Sequence, residues 1–576
     1  MRNKGFHIHL HLDHPERENP WLEEPEADLA AAPFLDDADR ALHECWGPLS
    51  EAERRDPAGR LSAFVDLYAL VGFDAAPAVL DRVARRAPKV YARLAAAGRT
   101  NALATAYPAL DLPAASEDDR RAAVRWGLAD FARRFGVDAR GFVPPAGAAD
   151  ESLLGLLARE GLRYVVLPAA AALKVRDPGG WREVAPETLD CSRPYRWRSK
   201  ADAALTLAVY FTPPSPDPAL LLRGPEGPDA AGERLATKVA DALRVNDSAE
   251  LAHAAFDASW FGLRAARGER ALARTLDVLE REAPAEAESY EAFLDRVGAP
   301  QEAEIRPGAA AAAGWKALLR AALASWSAAL AAEARTARSP LVRDPDAAVD
   351  LAGALAFEQT EDAQQAYLDA VCRRHPRPAE ALLLLRLAEL ERWRLKALSL
   401  WAYEDADPAG RNPLQALRCA ARALDLAALC LGKPKADALE AALTSGLAAC
   451  PSHGTPFSNA AAVYRRLAAP ERAGAEHAAA DAAAADHLAL EPAPAPPPRP
   501  AAAWTVSLEP VLRRARREGR AWRSLSLARV RVRHRRTYEA FSGTAAVFQR
   551  PASELEVRLT AGAVDPALLA AVRSEE

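Results

Sequence analysis

The stretch Phe6-His7-Ile8-His9-Leu10-His11-Leu12, followed by Arg17-Glu18-Asn19-Pro20-Trp21, decides how the rest of the chain is read. It alternates with a period of two, the side-chain repeat of a β-strand. Phe6, Ile8, Leu10 and Leu12 share one face; His7, His9 and His11 share the other. An apolar row suits helices packed outside a parallel barrel, and a histidine row suits its lumen or mouth, where barrel proteins do their chemistry. The plain alternative is an edge strand with solvated histidines.

Working outward, 576 residues suffice for two to four domains with a sizeable core. Basic and acidic residues nearly balance, with a net charge of −5, which argues against a nucleic-acid binder. Met1 runs almost directly into the first strand and no apolar run has spanning length, so neither a leader nor a membrane span is expected. The six cysteines, Cys45, Cys191, Cys372, Cys419, Cys430 and Cys450, form no CxxC pair. They read as buried thiols of a cytoplasmic protein rather than zinc or redox motifs.

Up to about Gly298, strand-like runs alternate with amphipathic helical stretches. The candidate strands are Phe6–Leu12, Asn101–Ala106, Gly141–Val143, Arg163–Leu167, Leu205–Phe211 and Ala252–Phe256. Ala76–Ala97, Glu117–Phe135 and Leu153–Gly161 are the helical stretches between them. This alternation argues for an α/β barrel with a parallel sheet. From Pro307 to Leu490 the pattern is almost purely helical, and Ala381–Leu385 running into Ala388–Trp401 reads as a buried bundle helix. Glu491–Pro500 reads as a stiff polyproline spacer. Beyond it, Leu525–Arg533 and Leu555–Leu559 read as strands, and the basic run Arg513–Arg523 as a solvated helix face. The expected division is therefore a barrel over 1–300, a helical domain over 301–490, a linker over 491–503 and a β-rich module over 504–576.

Several motifs in order resemble glycoside hydrolase family 57, in the branch that carries an extra C-terminal domain of unknown function. The resemblance rests on His9-Leu10-His11, then Pro15-Glu16-Arg17-Glu18-Asn19-Pro20-Trp21, then Asp36, Arg40, Glu44 and Cys45. It continues through Phe73–Leu80, Asn101–Tyr107, Arg125-Trp126-Gly127 with Asp130-Phe131 and Arg134-Phe135-Gly136, and Arg193–Trp197. Leu383–Ala427 and Ser526–Thr537 follow the branch more weakly. The resemblance implies a (β/α)7-type barrel and a retaining enzyme of the α-glucan class, with no cofactor and no metal. Retention needs two carboxyl groups about 5–5.5 Å apart.

The polar groups that the resemblance implies are missing. The nucleophile's stretch reads Gly141-Phe142-Val143-Pro144-Pro145-Ala146-Gly147-Ala148-Ala149-Asp150, with Ala146 at the Glu position. Alanine has nothing with which to attack an anomeric carbon. After Leu207–Phe211 comes Thr212-Pro213-Pro214, with Pro213 where the branch has an acid. Asp257-Ala258-Ser259-Trp260-Phe261-Gly262-Leu263-Arg264 keeps the frame of a later motif without its Glu and His. Arg99 and Arg264 stand where the branch has His, which implies a more cationic mouth.

Three readings follow. The first is a carbohydrate-binding or scaffolding pseudoenzyme, in which His9, His11, Arg17, Glu18, Trp21, Asn101 and Trp260 contact the ligand. Trp126, Trp197 and Phe261 are further candidates for an aromatic platform, the plain alternative for each being core packing. The second is an active glycoside hydrolase or transferase with Asp257 and Asp150 recruited as carboxylates; Asp150 also reads as the N-cap of the helix after it. The third is a metal-dependent, deacetylase-like hydrolase using His9 and His11, since imidazoles two apart on a strand point the same way. A carbohydrate is the expected partner; nucleic acid and membrane are not. The sequence leaves the ligand's identity and the oligomeric state open.

Overall fold

The computed structural model describes residues 4–56, 58–214, 217–245, 250–282, 285–308, 313–454, 456–488, 503–518, 521–549 and 555–562. Seven strands run parallel: β1 (Lys4–Leu12), β2 (Gly72–Ala75), β3 (Ala102–Leu103), β4 (Gly141–Phe142), β5 (Tyr164–Pro168), β6 (Thr206–Thr212) and β7 (Leu251–Asp257). They lie in two arcs, β7-β1-β2-β3 and β4-β5-β6. A parallel bridge between Ala104 and Phe142 joins the arcs, with the Ala104 N–H donating to Gly141 O at 3.0 Å. Among the described residues no ladder joins β6 to β7. The His253 side chain reaches from β7 to the carbonyl of Cys191 at 2.8 Å, and a backbone group of Phe211 on β6 also faces it.

Helices α1 (Pro77–Arg86), α2 (Pro88–Asn101), α3 (Glu117–Phe135), α4 (Glu151–Arg159) and α5 (Pro228–Val245) connect successive strands, and α6 (Gly268–Glu282) and α7 (Tyr290–Val297) follow β7. The helix expected over Ala76–Ala97 is broken at Ala87-Pro88, where proline opens the next helix. The span of α3 matches expectation. The Ser116 hydroxyl caps its first turn, which is acidic; arginines fill its last turn, and Gly136 closes it at φ 67°.

The period-two reading of β1 holds. Phe6, Ile8, Leu10 and Leu12 pack outward into the main core with Phe73, Leu94 and Phe135. On the other side a separate cluster gathers Leu103, Tyr164, Tyr210 and Leu251 from four strands and Val143 from just past β4, with Tyr290 and Phe293 from α7. The rings of His7 and His9 join that cluster through Tyr290, at centroid distances of 4.3 and 6.1 Å. This inward convergence makes the domain barrel-like. β2 escaped the sequence reading because four residues are too few for a period to register. An antiparallel annex of Ala172–Asp177, Gly180–Glu183 and Tyr195–Arg198 sits between β5 and β6, and Gln301–Ile305 pairs into it.

The second half is built on α8 (Trp315–Arg338), α9 (Pro378–Lys396), α10 (Arg411–Leu431) and α11 (Lys433–Ala448). Trp326, Trp393, Leu417 and Leu443 fill its core. The last turns of α9 are buried on every side, so even Glu389, Glu391, Arg392, Arg394 and Lys396 are inaccessible. They are tolerated because each finds an opposite charge. Arg394 bonds Glu391 and, across the domain boundary, Asp119, both at 2.6 Å. Arg392 meets Glu23 at 3.0 Å, and Lys396 pairs with Glu16.

Helix α12 (Ala475–Leu488) then covers an antiparallel meander of β8 (Trp504–Glu518), β9 (Ala521–His534), β10 (Ala540–Gln549) and β11 (Leu555–Ala561). The solvated helix face expected over Arg513–Arg523 is corrected: Arg513–Glu518 and Ala521–Arg523 pair as adjacent β-strands, so tertiary pairing overrides local helix propensity. Of the linker expected over 491–503, residues 491–502 lie outside the described residues; the Ala503 N–H donates to Leu22 O at 3.3 Å.

Candidate functional site

Parallel packing brings the C-terminal ends of β1, β2 and β7 to one side. Register sets His9 beside Gly72, and His11 between Asp74 and Asp257. The side chains converge further. Oδ1 of Asp74 lies 2.8 Å from His9 Nε2 and 2.6 Å from His11 Nδ1. His9 is fully buried, whereas the His11 side chain is 35% exposed and opens the cluster to solvent. Asp13, two residues beyond His11, continues the inward alternation past the strand end, and its Oδ1 accepts the His14 N–H at 2.8 Å.

Burial and charge act in opposite directions here. Burial would raise the Asp74 carboxyl, but His11 and His9 hold it well below the usual carboxylate range. Burial would lower His11, yet the charge and hydrogen bond of Asp74, with Asp257 and Asp13 nearby, raise it. Asp13 is pushed up to about 7 by burial and by the charge of Asp74. Deeper in, burial pushes His7 down to about 3 and His253 to about 4. The mouth thus pairs an ionised Asp74 with an acid, Asp13, poised near neutrality.

The expected ligand residues divide. His9 and His11 face the cluster. Arg17 and Glu18 line a neighbouring cavity of about 260 Å³ with His14, Trp46, Arg82 and Arg411, between the strand ends and α10. Both are already engaged: Arg17 donates to Asp37 at 2.7 Å and Asn412 at 3.2 Å, and Glu18 accepts from Arg85 at 2.9 Å. Trp21 is a correction. It is fully buried in the helical core, and its indole N–H donates to Asp425 at 2.8 Å, so no face is free for a sugar. Asn101 ends α2 and braces Tyr68 O at 3.0 Å. Trp126, Trp197 and Phe261 are core residues as well. Trp260 is partly exposed, with the guanidinium groups of Arg223 and Arg264 at 5.3 and 5.4 Å from its ring centroid. Arg264 also meets Asp257 at 3.5 Å, so a cationic and aromatic rim borders that carboxylate, while Arg99 lies exposed on the last turn of α2.

Asp150 caps α4, accepting the Leu153 N–H at 2.7 Å, and lies 3.4 Å from Arg120. Its charge therefore serves the helix start and an ion pair. Ala146 is exposed in the loop after β4 and sits at φ 54°, ψ 14°, followed by Gly147 at φ 66°. A non-glycine residue there costs about 1–2 kcal/mol. Ala146→Gly is accordingly expected to raise stability by roughly 0.5–1 kcal/mol in urea denaturation, a modest gain because glycine also loosens the unfolded chain. A lower midpoint would show that alanine is not strained in this turn.

Asp74 and Asp13 were missed from sequence. The available signal was the Phe73-Asp74 alternation, with Phe73 buried outward and Asp74 inward, but so short a strand gives no period to count.

Two comparisons bear on this geometry. Residues 312–563 match the family model described as Domain of unknown function (DUF3536). That stretch is similar to a DUF3536 domain. The DUF3536 match spans the helices and the meander alike, across the boundary drawn at 491–503. Among solved structures, the exo-type maltose-forming amylase from Pyrococcus sp. ST04 is similar at 11% identity and a TM-score of 0.53, over 77% of this chain and 83% of that one. A GH57 branching enzyme from Thermococcus kodakaraensis aligns at 14% identity and a TM-score of 0.45, over 77% and 94%. No curated protein sequence matches. The expected resemblance is borne out in the DUF3536 match of residues 312–563 and, at the level of the fold alone, in the likeness to the maltose-forming amylase. No described helix is long and apolar enough to cross a membrane.

Proposed function

We propose that this DUF3536 protein binds an α-linked glucan at the strand-end mouth and has lost retaining hydrolysis, acting as a binding or scaffolding pseudoenzyme. The reading takes the seven parallel strands as a (β/α)7-type barrel. One observation carries it: the turn after β4 keeps a strained left-handed geometry at Ala146, with no carboxyl group to present. Pro213, just past β6, supplies none either, and Asp150 is held by Arg120 and by α4. The ligand class is taken from the name of the similar amylase, and Trp260 with its flanking arginines is the surface best suited to stack on a sugar. All six cysteines are free, which supports a reducing, cytoplasmic setting.

The test pairs calorimetric binding of maltooligosaccharides with an assay for new reducing ends. Binding without turnover is expected, weakened about tenfold, or about 1.4 kcal/mol, in Trp260→Ala. Robust hydrolysis abolished by Asp257→Asn or Asp150→Asn would instead establish the recruited-carboxylate enzyme.

A further inference from the structure

The cluster of His9, His11 and Asp74 has a geometry that sugar binding does not require. We propose that His9 Nε2, His11 Nδ1 and the Asp74 carboxylate form a site for a borderline divalent cation of the Zn²⁺ class. The three donor atoms lie within 4.8 Å of one another, close enough to share one ion. Two imidazoles and one carboxylate are a donor set that selects Zn²⁺ and its neighbours over Ca²⁺ or Mg²⁺. The site is rigidly mounted, because two ligands come from one strand and the third from its hydrogen-bonded neighbour in register. Three protein ligands leave a position open, and it faces solvent on the His11 side. Asp257, paired with Arg264 at 3.5 Å, flanks His11 on the other strand, and Asp13 follows on the same face, so two further carboxyl groups border the site.

Two buried nitrogens give an independent reason. Among the described residues His7 Nε2 and His9 Nδ1 have no hydrogen-bond partner, and both lie against Gly72, where a Cβ would collide with them. His7 Nδ1 faces Glu288 O at 3.0 Å and must carry a proton to bond it, so His7 Nε2 is a bare lone pair. While His9 donates from Nε2 to Asp74, its Nδ1 is a second bare lone pair in the same space. Buried acceptors without donors are costly. A cation on His9 Nε2 displaces that proton, and the ring then carries its hydrogen on Nδ1, facing the lone pair of His7. A Glu288–His7–His9 relay would orient the ligand from behind, as the outer partners of metal-bound histidines do.

The site stands independently of glucan binding, and its test contains no sugar. The full chain, stripped with chelator and dialysed, is titrated with Zn²⁺ by calorimetry and with Co²⁺ by visible absorption. One equivalent is expected in the micromolar range or tighter, with Co²⁺ bands of low coordination number. Asp74→Asn and His11→Gln should each weaken binding at least tenfold and remove the bands. His11 is partly exposed, so His11→Gln provides a folded variant if Asp74→Asn does not fold. Absence of a stoichiometric equivalent in the parent chain, or unchanged affinity in His11→Gln, would overturn the assignment.

Discussion

Replacing Glu23 by alanine is expected to cost about 3–5 kcal/mol of stability, the usual penalty for leaving buried charges without their partner. Glu23 is 4% exposed and stands where all three parts of the molecule meet. Its Oε2 lies 3.0 Å from Arg392 on α9 and 3.2 Å from Arg536 beyond β9. Burial would raise its carboxyl, but Arg392, Arg536 and His534 hold it far below the ordinary range. Arg392 keeps Glu389 at 3.1 Å and Arg536 keeps it only at 3.8 Å, so the larger loss falls on Arg536. Glu23→Gln should lose less, since the amide oxygen still accepts. Denaturant unfolding followed by circular dichroism measures both. A cost under 1 kcal/mol for Glu23→Ala would mean that the junction is held by packing instead.

Acidification should be as severe. His253 and His534 are both buried and pushed down to about 4, chiefly by desolvation. Each makes a neutral-ring contact: His253 Nδ1 faces the Tyr290 hydroxyl at 2.9 Å, and His534 Nδ1 accepts the N–H groups of Arg536 and Thr537 at 3.2 and 3.1 Å. Unfolded, both titrate near 6.5. Above that pH neither state is protonated and their stability is intact. Between 6.5 and about 4 the unfolded chain takes up a proton at each ring and the native chain does not, so stability falls with falling pH. His7, pushed down to about 3, adds a third such group, and Asp13, raised to about 7, opposes them with one of the other sign, so the net slope is that of about two groups, on the order of 2–3 kcal/mol per pH unit. Glu23, whose folded carboxyl is depressed, adds its loss only at still lower pH. Unfolding free energy measured from pH 7 to 4 should show this limb, reduced by about half in His253→Gln. A slope unchanged from the parent chain in both His253→Gln and His534→Asn would refute it.

Much of the architecture was legible because it is written in local periodicity. β1 alternates over seven residues, α3 carries its own cap and charges, and β5 and β6 are apolar runs of ordinary strand length. What failed was decided by partners distant in sequence. The four-residue strand β2 shows itself only through its neighbours, and Arg513–Glu518 and Ala521–Arg523 become strand only because β9 folds back on β8. The same holds at the site. His9 and His11 announce themselves by spacing, but Asp74 joins them across 63 to 65 residues. Trp21 and Glu18 looked like ligand contacts since their motif follows a site strand. Their segment instead threads into α10, where Gln415 donates to Glu18 O at 2.7 Å.

That segment also sets a timetable for the ribosome. The Trp504 indole donates to Trp21 O at 2.9 Å, and Arg536 reaches Glu23 across 513 residues of chain. At typical synthesis rates of roughly 5–20 residues per second, Glu23 waits on the order of half a minute to two minutes before Arg536 is made. Through most of that interval the carbonyls of Trp21 and Leu22 also lack their final donors, and Glu23 gains Arg392 well before Arg536. The barrel-like half cannot be sealed on this side as it emerges. In the finished molecule the chain at the start of β8 and beyond β9 latches onto Trp21, Leu22 and Glu23.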